Sequence, residues 1–363
     1  MYGRPRIATG LLALACLLAL PSERGASAHD GPRRFRGPFH LERKPRRRVL
    51  LVLEGTIRTP GFRPDAWVVV LPQAPDHLWQ TVVSQTFRIT GDDKKHPRAK
   101  LDILDDEVVP GRKLRRIHFK PEKPVSEVRY VYEIEAVLNE VRLAPGRARE
   151  RQPRLSRKAR KIFLAARGAF DHDKPAFRTW LAKNALLKGE NERDLDFAHR
   201  TLAHIHQKFG YRFPPEFTDR FATQVCREKA SDCGGLCILF ASVMRANGIP
   251  ARVLAGRWAL ETKEGKPQYH VRAEFWAGGV GWVPIDGSGA VQWAGAPDSA
   301  FGRQKPNFFI MHEDVDLDID TVYFGVVPIR FLQSPAYWVR GPGTFRGAEL
   351  EATWRVQEKK RER

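Results

Sequence analysis

The chain has 363 residues, enough for two domains and a sizeable core, and its 42% hydrophobic and 10% aromatic content is that of a globular protein rather than a disordered or fibrous one. Sixty-two Lys and Arg against 42 Asp and Glu give a formal charge of +20 and a pI near 10.1, which favours acidic partners without naming them.

Residues 1–28 carry Arg4 and Arg6, the apolar run Leu11 to Leu20, and Ala26-Ser27-Ala28 as a small-x-small cleavage site, which is the pattern of a secretory signal peptide. No other apolar run is long enough to span a bilayer, so the expected location is periplasmic or extracellular. A retained signal acting as an anchor is the alternative, for which the run is short. Past the signal remain Cys226, Cys233 and Cys237. An odd number in an oxidising compartment allows one free thiol and a Cys226–Cys237 disulfide, with a plain core role for Cys237 the preferred alternative.

Residues 29–48 are polar and basic, with Arg33, Arg34, Arg36, Arg43, Lys44, Arg46, Arg47 and Arg48 among Pro and Gly. Such a stretch buries no core and is expected to be a disordered leader, either holding anionic envelope polymers or simply solvated. From 49 to 143 the pattern changes to short alternating runs separated by Pro, Gly and Asp turns, which predicts an antiparallel β-sandwich. In the last run Tyr130, Tyr132, Ile134 and Ala136 alternate with Val131, Glu133 and Glu135. Residues 144–160 are rich in arginine and read as a basic linker, entering a helix around Ser156 to Arg167. A nucleic-acid surface is disfavoured there by the export signal and by the lack of interleaved aromatics.

The remaining chain is assigned to one domain, 161–354, followed by a charged tail, 355–363. Asp173-Lys174-Pro175 starts a helix that Gly189 stops, and a second helix carries Leu195, Ala198, Leu202, Ile205 and Phe209 up to Gly210. His199, His204 and His206 lie on it without an HExxH pattern or a completing set of ligands, so they read as surface histidines and no metal is expected. Near the end, Glu313 to Asp320 sets four aspartates at alternate positions. The sixth position of a calcium loop lacks its glycine and the twelfth is Gly325, so a solvated strand face is preferred over a calcium site.

Ser231 to Pro250, SDCGGLCILFASVMRANGIP, organises this domain. Ser231 and Asp232 are capping residues, Cys233 takes the first helical position, and Leu236, Leu239, Phe240, Val243 and Met244 define one buried face up to Gly248. A cysteine there meets unpaired amides and the positive end of a helix, which favour the nucleophilic thiolate, and Gly234-Gly235 leave the backbone open to a carbonyl. Downstream, QYHVRAEFW (268–276) sets His270, Arg272, Glu274 and Trp276 on one face of a strand and Val271, Ala273 and Phe275 on the other, core-facing one. A hairpin partner, Ala251 to Leu260, precedes it across a turn at 263–266, and GWVPIDGS follows with Asp286 at the end of the next strand. An acid there can hold the second imidazole nitrogen and fix the tautomer.

The order Cys, His, Asp in DCGGLC…RANGIPAR, YHVRAEFW and GWVPIDGS resembles the transglutaminase-like superfamily of cysteine enzymes, and is similar to its microbial branch. The resemblance covers roughly the second half of the chain. It implies an α+β, papain-like catalytic core preceded by an antiparallel β-sandwich, with Cys233 as nucleophile, His270 as general base and Asp286 as its orienter. Gln224 and Tyr211 are the oxyanion candidates that it suggests. Cys237 departs from the family, where the residue one turn after the nucleophile is usually small and non-reactive. The implied reaction is acyl transfer through a thioester on a protein or peptide amide, without a cofactor, with hydrolysis of peptide, isopeptide or glutamine-type amide bonds placed ahead of cross-linking. A non-catalytic, basic envelope-binding protein on the same scaffold is the reading from a different class, and a Cys233/Cys237 dithiol role ranks third because the spacing is CxxxC.

Overall fold

The computed structural model describes residues 35–359 except 92–93, 96–98, 149–153, 214–219 and 262–267. The expected signal peptide at 1–28, positions 29–34 of the expected leader, the turn at 263–266 and the last residues of the tail lie outside the described residues. The first half contributes strands β1 (Phe39–Arg58), β2 (Ala66–Gln73), β3 (Gln80–Gly91), β4 (Lys94–Lys95), β5 (Lys100–Asp105), β6 (Lys113–Phe119) and β7 (Glu127–Pro145). Helices α1 (Arg157–Ile162), α2 (Pro175–Lys183) and α3 (Asp194–Lys208) follow, then β8 (Gly210–Tyr211), α4 (Ala222–Glu228), β9 (Ala230–Ser231) and α5 (Cys233–Ala246). Next come β10 (Ala251–Trp258), β11 (Tyr269–Ala277), β12 (Gly281–Ile285), α6 (Gly289–Gln292), β13 (Arg303–Gln304) and β14 (Phe308–Glu313). The chain ends in β15 (Leu317–Asp320), β16 (Val326–Ile329), β17 (Ala336–Arg340) and β18 (Glu349–Glu358).

Two antiparallel sheets face each other, one ordered β18-β1-β7-β3-β4, the other β17-β2-β6-β5. On β7 the buried side chains Val128, Tyr130, Tyr132, Ile134, Ala136 and Leu138 alternate with more exposed neighbours, so its period of two aims one face at a core shared with Leu51, Leu53, Trp67, Val69 and Trp354. Each fully buried aliphatic side chain there contributes about 1.5–3 kcal/mol.

Two expectations about the ends of this sandwich are corrected. Residues 39–48 are not a disordered leader but the first half of β1, paired along its length with β7. Their charge is matched locally: Arg46 donates to Glu140, Arg48 to Glu135, Arg47 to Glu358, and Arg142 of β7 to Glu42. Composition hides such matching, because the acids are spread over distant strands. Likewise 336–358 are neither an extension of the catalytic domain nor a tail. β17 pairs with β2, and β18 runs antiparallel to β1 from Val49 opposite Glu358 to Arg58 opposite Glu349.

The second unit is a sheet ordered β12-β11-β10-β14 with helices α2 to α5 on one face, giving the α+β architecture. Helix α2 starts at Pro175 as the sequence implies but ends at Lys183, ahead of Gly189, and α1 is shorter than the helix expected at 156–167. In α5 every residue from Gly234 to Arg245 is buried, not a single face, because the helix lies between β10 and β11 and helices α3 and α4. Gly248, at φ +76°, closes it as expected.

The acidic run 313–320 is the expected solvated strand face only in its second half, where Asp318 and Asp320 are exposed on β15 and alternate with the buried Leu317 and Ile319. Glu313 ends β14 and Leu317–Asp320 form β15, while between them Asp314 and Asp316 take positive φ and turn inward. Asp314 is fully buried and accepts from Arg245 and Arg167, Asp316 from Arg330, and Asp320 from Arg116. Two of the three histidines of α3 also part from expectation. His199 is buried and bonds Asp298 at 2.7 Å, and His206 bonds Ala290 O at 2.7 Å.

Candidate active site

Helix α5 presents Cys233 at its N-terminus. Asp232 is the cap, accepting from Gly235 N at 3.0 Å, and is itself clamped by Arg220 through Nε at 3.0 Å and Nη2 at 2.6 Å. Ser231, the other expected capping residue, is buried without a cap bond, its Oγ directly against Gly235. A Cβ on Gly235 would fall 2.0 Å from that oxygen, so the glycine is required by close approach. The amides of Cys233 and Gly234 lie in the first turn and have no intrahelical acceptor, which makes them the local donors for a developing oxyanion.

All three described cysteines are free, so the Cys226–Cys237 pairing is not formed, and Cys233 alone among them keeps some exposure. Both thiols of α5 face β11 beside His270: Cys237 Sγ donates to Val271 O at 3.4 Å, and the Val271 amide bonds the Cys233 sulfur. The helix end does not leave Cys233 with a depressed pKa. Burial, then the charges of Asp232 and Asp286, push the thiol up, and the Val271 amide and Arg220 only partly oppose them. A helix end alone would lower the thiol, but the fold brings two carboxylates beside it.

His270 and Asp286 come together from β11 and the end of β12, with Nε2 and Oδ2 2.7 Å apart and both residues buried. With Nε2 engaged by the carboxylate, Nδ1 is the nitrogen left to take a proton. Trp258 stacks on the ring at 4.2 Å and 19°, and Phe308 meets it edge-on, so its plane is fixed. The other Asp286 oxygen accepts from Ser288 Oγ at 2.9 Å and Gly289 N at 2.7 Å. Burial alone would raise this acid, but His270, Arg272 and the Gly289 amide outweigh it and hold the carboxyl far below its ordinary range.

The alternation on β11 is present but its polar face is not open. His270, Arg272 and Glu274 are all buried, because the β2–β3 connection of the sandwich covers them: His77 bonds Glu274 at 3.2 Å, and Trp79 lies against Arg272. The Gln224 amide is engaged with Glu228 and Arg227 on an exposed part of α4, and Tyr211 is 44% exposed with its backbone paired to Ser231. Arg220, Trp258 and Ser288 were not singled out beforehand. Only Arg272 carried a signal, its place two residues from His270 on the same strand face. Among the described residues no group of His, Cys, Asp and Glu is arranged to hold a metal ion.

A thiol at a helix start, a buried His–Asp pair on the facing strands and a preceding β-sandwich define the class of thiol-enzyme folds. Within it, residues 181–287, which include Cys233, His270 and Asp286, match the family model of the transglutaminase-like superfamily, and the chain carries a domain of that superfamily. No curated protein matches it. Among solved structures, it is similar to a candidate cysteine protease from Cytophaga hutchinsonii, with 13% identity, 89% of this chain and 94% of that chain covered, and a TM-score of 0.56, a likeness of fold. It also aligns with the periplasmic domain of TgpA from Pseudomonas aeruginosa bound to ethylmercury, at 17% identity, 68% and 92% coverage and a TM-score of 0.34.

Proposed function

We propose that this chain is an exported cysteine-dependent acyl-transfer enzyme that hydrolyses peptide, isopeptide or glutamine-type amide bonds. The buried 2.7 Å contact between His270 and Asp286, on the strand against which the Cys233 end of α5 packs, is the observation that carries the reading. As an amide carbonyl arrives, the Cys233 proton passes to His270 Nδ1 while sulfur forms the C–S bond. The tetrahedral oxyanion meets the first-turn amides, the C–N bond breaks, and His270 returns the proton to the leaving amine. Asp286 remains an anion throughout and stabilises the imidazolium. Water, activated by His270, then cleaves the thioester to acid and free thiol. An amine in place of water gives a cross-link, and the acceptor is decided by what the site admits. Export is supported by the signal-like pattern of residues 1–28, and no described helix is long and apolar enough to cross a membrane.

The test is site-mapped iodoacetamide labelling of the reduced protein with Cys233→Ala and His270→Ala variants, followed by peptide and glutamine-amide turnover with and without a primary amine. Labelling of Cys233 that falls in His270→Ala, with turnover lost in both variants, supports the reading. Labelling indifferent to His270 together with no turnover would sink it and favour the basic envelope-binding alternative. Amine incorporation outpacing hydrolysis would replace the hydrolase by a cross-linking enzyme.

A further inference from the structure

Arg272 is fully enclosed, two residues along β11 from His270. Its Nε lies 3.3 Å from Asp286 Oδ2, the oxygen that also meets His270, but is not aligned for a hydrogen bond. The two terminal nitrogens are held by other groups: Nη1 by Gln304 Oε1 and Nη2 by Arg303 O at 3.0 Å. Arg303 and Gln304 form β13, which pairs with β7 of the sandwich. The guanidinium is thus fixed from outside the site with one edge directed at the acid. A buried cation is costly, and the resulting geometry gives the carboxylate a fixed cationic neighbour beside the imidazole.

We propose that Arg272 is a positioning residue of this site, which pins Asp286 and takes up part of its charge so that His270 stays neutral until the Cys233 proton is transferred to it. The inference rests on the Cys233/His270/Asp286 reading and adds a fourth member to it. Contacts of 2.7 and 3.3 Å on one oxygen put the guanidinium and imidazole no more than about 6 Å apart. At that separation and the effective dielectric of a protein site, a fixed cation opposes protonation of the ring by about one to two pH units. The other groups facing this pair are Cys233, Cys237 and Asp232 from α5 and its cap, Arg220, Ser288 and the Gly289 amide, Gln304 from β13, and the Trp79 and Trp293 rings. Glu274, next on the same face, is engaged by Arg252 and His77. None of the other charges contacts the Asp286 oxygen that His270 uses, so substitution of Arg272 isolates the effect.

The measurement is an NMR pH titration of the His270 imidazole in the full chain carrying Cys233→Ala, which removes coupling to the thiol and needs no substrate. Arg272→Met is expected to move the midpoint up by about one to two pH units, while Arg272→Lys, which keeps the charge, stays with the parent. If the Met variant does not fold, Arg272→Gln reads the same shift with a polar side chain. A folded neutral variant titrating with the parent, or a Lys variant titrating with the neutral one, overturns the proposal. Failure of the underlying reading is seen separately, as Cys233 labelling that does not depend on His270 when Arg272 is intact.

Discussion

Asp314→Asn tests whether the arginine cluster around the acidic run is structural. Asp314 is fully buried and accepts from Arg245 Nη2 with both oxygens at 3.0 Å and from Arg167 Nη2 at 2.7 Å. Arg245 is equally enclosed, with its other nitrogens on Ala251 O and Ala165 O and its guanidinium over the Phe170 ring at 3.6 Å. Neutralising the acid leaves that cation without its counter-charge, at a cost of about 3–5 kcal/mol. In a domain of this size the corresponding fall in Tm is on the order of 10 °C. Urea unfolding followed by tryptophan fluorescence measures it, with Arg46→Ala as control. The Arg46–Glu140 pair is 49% and 39% exposed. Its loss is expected to cost under about 1 kcal/mol. The double variant Arg245→Met/Asp314→Leu, which removes both charges, is expected to lose less than the sum of its single variants. Burial would raise Asp314, but Arg245, Arg167 and Arg112 hold it below the ordinary aspartate value of 3.8. Its contribution is therefore present above that pH and lost as pH falls through the folded value. An Asp314→Asn protein within 1 kcal/mol of wild type would refute the argument.

His312 is enclosed beside this cluster, with Nδ1–H donating to Asp314 O and Nε2 accepting from Leu332 N, and burial followed by Arg112 lowers its pKa to about 3. The unfolded chain takes up a proton below pH 6.5 that the native chain refuses, so stability is full above that pH and declines by roughly 1.4 kcal/mol per unit down to about 3. This part of the slope should be absent from the profile of His312→Gln, itself less stable, and so appear in full in the difference between the two proteins. Gly256→Ala places a Cβ 2.0 Å from Phe309 O, main chain of the paired strand β14, and no side-chain movement relieves that clash. A loss of about 3 kcal/mol or more is expected in thermal melts. Gly234→Ala meets the rim of the half-buried Phe331 at 2.9 Å, which can swing aside, and should lose less than about 1.5 kcal/mol.

Where a residue's role follows from its neighbours in the chain, the sequence was readable. Asp232 before Cys233-Gly234-Gly235 reads as a cap, Gly248 as a stop, and the period of two on β7 and β11 separates their faces, because capping and alternation are local rules. Asp286 could be matched to His270 only through family order, since nothing local to an Asp-Gly pair distinguishes a triad acid from a turn. What stayed hidden were long-range pairings between charges. Arg47 meets Glu358, Arg245 meets Asp314 and Arg272 meets Asp286, and each looks like a solvated charge when read in its own segment. A basic leader therefore reads as a disordered tail, and a helix-start cysteine as easily ionised, until the fold brings distant carboxylates beside them.

The connectivity accounts for the misplaced domain ends and has a consequence for the site. Strands β1 to β7 and β17 to β18 build one sandwich, so the unit holding Cys233 is an insertion between β7 and β17, joined to the sandwich at both of its ends. The return connection crosses the site. Arg330 is bonded to Asp316, the Leu332 amide to His312, and the Gln333 amide group to His270 O at 2.8 Å, while Phe331 lies against Gly234 beside Cys233. On the opposite side, the connection between β2 and β3 supplies His77 and Trp79 behind β11. The strand bearing His270 is therefore clamped between two segments of the sandwich, and its polar face is dry for that reason. A dry face is what lets one fixed guanidinium influence the imidazole at 6 Å or less, since the same charge in water would be screened to a fraction of that effect. The sandwich thus sets the rigidity and dryness of β11 around His270 and Arg272.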